Sequence, residues 1–371
     1  MQFQALSGLA QASGWPAVVT VVGNWYGRGS RGLVYGIWNS HTSLGNILGT
    51  LIAAAFVTTA WSLSFIVPGI IIGVLGIIVL LVLVPEPGLV GLPNPNVVEP
   101  AGVSPPPRRR NIPVYAEAPE EETATLLGNE EAQALSYDGK EKEGDSPSSS
   151  LEEEQAISFV DSLKIPGVVE FSLSLFFSKL VSYTFLYWLP NYINNSTSFT
   201  AAQSANLSAL FDVGGIVGAI LAGVLSDHSG MPASTCVVML VIAIPMMFVY
   251  YAFADVTFGV NVFLLIIVGI LVNGPYSLIT TAVSADLGTH ESLKGNAKAM
   301  ATVTAVIDGT GSIGAAVGPL IAGPISEIDW GYVFYMLMAA DVISLILLTR
   351  LVLYEVRDFI HRRRERAHVV P

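Results

Sequence analysis

One lysine, Lys179, lies in the middle of an apolar segment, whereas the other lysines and arginines fall in polar stretches or at the ends of apolar segments. An ammonium group at membrane depth costs roughly 2.5–3.5 kcal/mol on insertion scales, so it usually faces a wet cavity and an anionic partner. Its compact charge suits a phosphate group. The sequence therefore predicts an anion site at Lys179. The alternative is an ion pair with a buried carboxylate such as Asp212 or Asp308.

A second candidate is His41, which lies in the string Trp38-Asn39-Ser40-His41 of another apolar segment. A histidine can bind a phosphate oxygen and respond to the protonation state of the phosphate. The alternative is a helix-packing role, with the ring bonded to a neighbouring backbone carbonyl.

The composition places these residues in a membrane protein. The chain is 52% hydrophobic and 12% charged, with a mean hydropathy of +0.60, whereas soluble domains are about 25% charged. The single cysteine, Cys236, has no partner for a disulfide or a cysteine metal site within one chain. GxSxG, HExxH and Walker strings are absent from the sequence. We expect no enzyme, no catalytic residue, no metal, no cofactor and no nucleic-acid partner.

The apolar segments are long enough to be transmembrane helices. A spanning helix needs about 20 mostly apolar residues. Nine segments qualify, at approximately 5–26, 33–55, 62–84, 167–189, 204–226, 233–254, 261–284, 297–322 and 331–353. The chain is therefore predicted to be an all-α, multi-pass membrane protein in contact with the lipid bilayer.

The loops divide into two sets by charge. Those around 57–61, 190–203, 255–260 and 324–330 contain no lysine or arginine, and the basic residues outside the membrane map to the opposite side. Because basic loops stay in the cytoplasm, the long loop and the C-terminus are predicted to be cytoplasmic.

Most of the net charge of −12 lies within residues 85–164. This segment is rich in proline and acidic residues and poor in large apolar ones, so it is predicted to be a disordered cytoplasmic loop. It separates three spans, within residues 1–84, from six spans, within residues 165–355. A linker before six helices is typical of the middle of a transporter built from two halves, so residues 1–84 are interpreted as the last three helices of the first half. Residues 356–371 are predicted to be a basic cytoplasmic tail.

Several local patterns add detail to this topology. Glycine pairs four residues apart, such as Gly214/Gly218 and Gly314/Gly318, indicate close helix packing. Asn273 and Pro275 predict a bend in the seventh span, because proline removes a backbone hydrogen bond. Asn194 and Asn195 each begin a glycosylation sequon on the predicted non-cytoplasmic side.

Three long strings resemble one family. The string GWPAVVTVVGNWYGRGSRGLVYGIWNSHTSLGN is similar to the fourth and fifth helices of the organophosphate:phosphate antiporters, within the major facilitator superfamily. KLVSYTFLYWLPNYI with LFDVGGIVGAILAGVLSDHSG resembles their seventh and eighth helices. The string from NGPYSLITT to IGAAVGP resembles the tenth and eleventh helices of the sugar-phosphate exchangers in that family. The resemblance implies a major facilitator fold of twelve helices, of which this chain lacks the first three.

The resemblance also implies roles for single residues. Lys179 would hold the substrate phosphate from the seventh helix, opposite an arginine on the missing first helix. Bacterial relatives carry a substrate-site histidine in a WNxxH string, whereas here Thr42 occupies the matching place and His41 precedes it. Asn39 and Thr42 therefore join His41 as candidates. Gly223 and Asp227 resemble the GxxxD gating motif, in which a carboxylate bonds across to a neighbouring helix terminus.

The resemblance implies a function in which a sugar phosphate, most of all glucose 6-phosphate, is exchanged for inorganic phosphate. The exchange would cross the endoplasmic reticulum membrane by alternating access. Repulsion between the cations of an empty carrier would discourage its return without a counter-anion. The alternatives are a truncated, non-transporting protein that associates with a full-length partner and a carrier of another organic anion. Association into a homo-oligomer is left open.

Overall fold

A computed structural model describes residues 2–12, 14–26, 31–57, 60, 62–93, 95, 157–289, 293 and 297–369. The regular elements in these residues are helices. In chain order they are α1 (Gln2–Ala12), α2 (Gly14–Trp25), α3 (Arg31–Val57), α4 (Leu63–Val82), a 3-10 turn (Pro87–Val90), α5 (Phe159–Leu163), α6 (Val168–Ser196), α7 (Ala201–Ser229), α8 (Pro232–Phe253), α9 (Phe258–Leu278), a π turn (Ile279–Val283), α10 (Ser284–Leu287), α11 (Ala297–Ser326) and α12 (Trp330–Val369).

Within the described residues, 7 helical segments are long and apolar enough to cross a membrane, and each coincides with a predicted span. They are α4, α6, α7 from Gln203, α8, α9 with its continuation to Leu287, α11 from Ala299, and α12 as far as Arg362. The predicted span 33–55 lies within α3. The predicted span 5–26 contains α1 from Ala5 onward and α2, which flank residue 13, a position outside the described ranges.

Helices α6, α7, α8, α9, α11 and α12 form one block, in which α7 packs along α9 and α6 along α11. Glycines set these contacts. A Cβ atom at Gly214 or Gly218 would overlap carbonyl oxygens of α9, and one at Gly314 would overlap the carbonyl oxygen of Phe176 on α6. The predicted packing role of these glycines is confirmed, because small residues let the helix backbones approach.

The N-terminal helices pack against this block. Helix α3 lies along α7, α2 contacts α11, and α4 contacts α3. A Cβ atom at Gly36 would lie 2.6 Å from the carbonyl oxygen of Ala219 on α7. The described side chains of α4 are outside the core, and none of them is buried. The first three spans therefore meet the C-terminal block mainly through α2 and α3.

Helix α9 loses its α-helical geometry near the predicted bend. It continues through Asn273 and Pro275, and the π turn begins at Ile279, whose N–H bonds to the carbonyl oxygens of Pro275 and Tyr276. A π turn inserts an extra residue into a helix and is common at functional sites. The departure from regular helix therefore lies four residues beyond the proline, and the bend at Asn273 and Pro275 stays a prediction.

Regular structure extends beyond the predicted spans at the C-terminus and at both edges of the long loop. The predicted basic tail is helical, because α12 continues to Val369. Arginine and glutamate favour helix, Arg362 pairs with Asp358 one turn earlier, and basic residues stabilise a helix C-terminus. The predicted disordered loop carries a 3-10 turn at Pro87–Val90 and the short α5 at its other end. Residues 96–156 lie outside the described residues.

Candidate functional site

Lys179 lies in the middle of α6, and its charge is paired. The Nζ atom is 2.6 Å from Oδ1 of Asp308 on α11, and the two side chains are 6% and 16% exposed. The Thr280 hydroxyl, on the π turn, donates to the same carboxylate oxygen over 2.8 Å. The alternative raised from the sequence, a pair with a buried carboxylate, therefore describes this conformation.

The surroundings of Lys179 are aromatic on one side and closely packed against the backbone of α11 on another. Its ammonium lies 5.7 Å from the centroid of the Tyr276 ring, and Tyr183 lies edge-on to that ring at 6.3 Å. Cations interact favourably with such ring faces. On α11, a Cβ atom at Gly311 would lie 2.9 Å from Cδ of Lys179. Glycine at this position therefore leaves room for the lysine stem.

An aromatic cluster from the N-terminal helices reaches this site. The Trp15 ring of α2 lies 5.2 Å from the Trp38 ring and 6.2 Å from the His41 ring of α3. The Trp15 indole N–H donates to the carbonyl oxygen of Thr280 over 3.3 Å. Contacts therefore run from His41 through Trp15 and Thr280 to Asp308 and Lys179. The structure thus connects both predicted binding residues, although they come from different parts of the chain.

His41 is exposed, and its Nδ1 lies 2.6 Å from the carbonyl oxygen of Trp38. A carbonyl oxygen only accepts hydrogen bonds, so Nδ1 carries the hydrogen and Nε2 is left for a ligand. This geometry matches the helix-packing alternative and still leaves one ring nitrogen free of that bond.

Asn39 and Thr42 lie on a different face of α3 from His41. Asn39 and His41 are separated by about 200° around a helix axis, while Asn39 and Thr42 share a face. Asn39 is buried, and neither its Oδ1 nor the Thr42 hydroxyl has a hydrogen-bond partner among the described residues. The structure thus does not bring the three α3 candidates together into one cluster.

The predicted gate residues join two helix ends. Asp227, at the end of α7, accepts hydrogen bonds from the backbone N–H groups of Gly32 and Leu33 over 2.9 and 2.6 Å. A carboxylate is stabilised at a helix N-terminus by the unpaired N–H groups and the helix dipole. A Cβ atom at Gly223 would overlap the carbonyl oxygen of Gly32. The two residues therefore hold the end of α7 against the start of α3.

Arg31 is a further residue of this junction, and sequence reasoning treated it only as a basic loop residue. It is fully buried, and its guanidinium donates to Asp286 Oδ1 over 3.1 Å and to the Thr289 hydroxyl over 2.8 Å. Both partners lie at the end of the α9–α10 helix. An arginine beside a predicted span carries no pattern that distinguishes this buried pair from a solvated charge.

Other intramembrane carboxylates also make structural contacts. Asp212 accepts a hydrogen bond from Asn46 over 3.2 Å, joining α7 to α3. Glu355 of α12 accepts from the backbone N–H groups of Ala233 and Ser234 at the start of α8. Of the two carboxylates considered for Lys179, Asp212 therefore bonds to Asn46 and Asp308 to the lysine. The capping role of Glu355 was missed because it lies beyond the predicted end of the last span.

The two sequon residues, Asn194 and Asn195, are exposed in the last turn of α6. The Asn195 amide donates to the carbonyl oxygen of Asn191 over 2.9 Å. Their glycosylation stays a prediction.

Comparison with known proteins places this arrangement in a family. The model of the Major Facilitator Superfamily matches residues 1–301 and 171–370. The glucose-6-phosphate exchanger SLC37A2 of Xenopus laevis is 56% identical over 356 residues, which cover 96% of this chain and 68% of that protein. The human SLC37A2 exchanger is 54% identical over 95% of this chain and 67% of its own length. The human glucose-6-phosphate exchanger SLC37A1 is 49% identical over 94% of this chain and 66% of its own length. The chain therefore belongs to the Major Facilitator Superfamily and, within it, to the family of the SLC37A1 and SLC37A2 proteins.

Proposed function

We propose that this protein is a secondary antiporter that exchanges glucose 6-phosphate, or a related sugar phosphate, for inorganic phosphate by alternating access. The observation that carries the proposal is the buried ammonium of Lys179, which lies where α6 and α11 meet the aromatic cluster of α2 and α3. The names of the relatives support the sugar phosphate as substrate. The electrostatics of the site support an anion.

In this proposal Asp308 is the resting counter-ion of Lys179, and an incoming phosphate takes its place. A buried charge that loses its partner costs about 3–5 kcal/mol, so an empty site re-forms the Lys179–Asp308 pair and an occupied site replaces it with phosphate oxygens. Since the pair neutralises the empty site, repulsion between cations does not account for exchange in this conformation. The more direct source of coupling is the displacement of Asp308 itself.

Displacement of Asp308 would also alter the contact between the N-terminal helices and the C-terminal block. Its carboxylate accepts from Thr280, and the carbonyl oxygen of Thr280 accepts from Trp15 of α2. An anion that binds better when the π turn has shifted would favour the alternative conformation by its differential affinity. His41, Asn39 and Thr42 are the α3 residues proposed to meet the substrate as that change proceeds.

The gate in this mechanism is the junction at the start of α3. Opening of that side requires the Asp227 and Arg31 contacts to break, while closure re-forms them. We place this side, with the long loop and the C-terminus, in the cytoplasm, because the opposite loops contain no lysine or arginine. The membrane proposed for the protein is that of the endoplasmic reticulum.

The test is counterflow of radiolabelled inorganic phosphate in proteoliposomes containing the purified chain. Exchange is expected with internal phosphate or glucose 6-phosphate, loss of exchange in Lys179→Ala, and partial activity in Lys179→Arg. Lys164→Ala is the matched control, because Lys164 is 72% exposed in its pair with Asp161. Absence of counterflow with either anion, or wild-type exchange by Lys179→Ala, would overturn the proposal. Counterflow only with a different organic anion would reassign the substrate.

A further inference from the structure

A cavity of about 420 Å³ lies at the end of the C-terminal block opposite the Asp227 junction. It is formed where α6, α8 and α11 end and α12 begins. Its walls combine three aromatic rings, from Tyr192, Tyr251 and Trp330, with the carboxylates of Asp255 and Asp329. This cavity is separate from the proposed phosphate site, since Tyr192 lies about 20 Å from Lys179 along α6.

The charge around the cavity is negative. Residues 190–203, 254–260 and 324–330, which form this end of the block, include Asp255, Glu327 and Asp329 but no lysine or arginine. Asp255 is exposed and makes no hydrogen bond or ion pair with the described residues. The C-terminal carbonyl groups of three helices add negative partial charge. Helices α7 and α9 begin at the same end, and their first turns are capped by the neutral hydroxyls of Thr200 and Thr257.

The two carboxylate oxygens of Asp329 have different surroundings. One oxygen accepts from the N–H of Gly331 over 2.6 Å, in the first turn of α12. The other oxygen makes no hydrogen bond with the described residues, so one negative acceptor is left at the cavity wall.

The hydroxyl of Tyr192 is the second unused group. Tyr192 is 3% exposed, its ring packs 5.4 Å from that of Trp330, and its hydroxyl has no hydrogen-bond partner in the described part of the chain. Because Tyr192 lines the cavity, its hydroxyl is available to a ligand there.

We propose that this cavity binds an organic ammonium ion. Aromatic rings and carboxylates are the two partners that such a cation prefers, the rings for its alkyl surface and the carboxylates for its charge. A calcium ion would need six to eight oxygen ligands around one point, whereas three of the nine residues that line this cavity are aromatic and only two carry carboxylates. The cavity is also of the size that holds a small organic molecule.

The experiment titrates tetramethylammonium into the purified full chain in lipid nanodiscs and follows binding by saturation-transfer NMR. Uncharged tert-butanol, which has nearly the same shape, is the matched ligand control. Saturable binding of tetramethylammonium only is expected. Asp255→Asn is expected to weaken it about tenfold, and Tyr192→Phe is expected to weaken it less. Glu327→Gln is the matched protein control, because Glu327 has the same charge at the same end but does not line the cavity.

Asp329→Asn provides a second carboxylate variant that keeps an acceptor for the N–H of Gly331, should Asp255→Asn fail to fold. The proposal is overturned if tert-butanol binds equally well, if Glu327→Gln weakens binding as much as Asp255→Asn, or if calcium saturates the site and tetramethylammonium does not bind. Lys179→Ala should bind tetramethylammonium as the wild type does, so this result is independent of the transport assay.

Discussion

Replacing Asp308 by asparagine removes the carboxylate that pairs with Lys179 and keeps a side chain of nearly the same shape. The asparagine amide oxygen can still accept the hydrogen bond of Thr280, so the main loss is the negative charge 2.6 Å from the ammonium. If Asp308 competes with phosphate for Lys179, Asp308→Asn should bind phosphate more tightly than the wild type and fold less stably without it.

The size of the effect follows from the burial of the pair. Loss of one member of a buried pair costs about 3–5 kcal/mol. Because the Asp308 side chain keeps 16% exposure, we take the lower end, about 3 kcal/mol, which corresponds to roughly two orders of magnitude in a dissociation constant. Tighter binding of the anion also slows its release, so the exchange rate should fall even though the affinity rises.

The assay measures the phosphate dissociation constant of the purified protein and its thermal unfolding midpoint with and without phosphate. Asp212→Asn is the matched control, because Asp212 is also an intramembrane carboxylate that bonds across helices but has Asn46, not Lys179, as its partner. An Asp308→Asn protein whose phosphate affinity is unchanged or weaker would refute the competition. So would an equal gain in affinity for Asp212→Asn.

Three further predictions concern the junctions between helices. Asp227→Asn removes the charge that meets two backbone N–H groups at the start of α3, so the exchange rate in proteoliposomes should change more than the substrate affinity, and an unchanged rate would contradict a gating role. Arg31→Met leaves the Asp286 carboxylate buried without its cation and should destabilise the protein by about 3–5 kcal/mol in a thermal unfolding assay. Gly218→Ala forces a methyl group against the backbone of α9 and should cost about 1–3 kcal/mol in the same assay, whereas Gly73→Ala, which has no described atom within 4 Å of the added methyl group, should not lower the midpoint, because alanine favours helix over glycine.

The membrane-spanning helices could be predicted from the sequence because an apolar run of sufficient length needs no knowledge of its neighbours. The end of α12 could not, since a hydropathy criterion stops where charges begin while backbone hydrogen bonding continues through them to Val369.

The site was predictable in part. The burial of Lys179 could be predicted from its isolation in an apolar segment. The identity of its partner could not, because Asp212 and Asp308 both lie within predicted spans. The choice depends on how α7 and α11 are rotated about their axes, which is set by glycine contacts such as those of Gly218 and Gly314 with neighbouring backbones. The burial of Arg31 was missed because the side chain of a residue at the end of a span can point either into the protein or into solvent.

The segment from Ile279 to Leu287 connects the proposed site to the junction at the start of α3. Its π turn carries Thr280, which bonds to Asp308 and Trp15, and its last turn carries Asp286, which pairs with Arg31. π turns occur mostly as single turns inside α-helices and frequently at functional sites. In the proposed mechanism, displacement of Asp308 by an anion acts on the same short segment whose Asp286 holds Arg31, so that occupancy of Lys179 and release of α3 are parts of one conformational change.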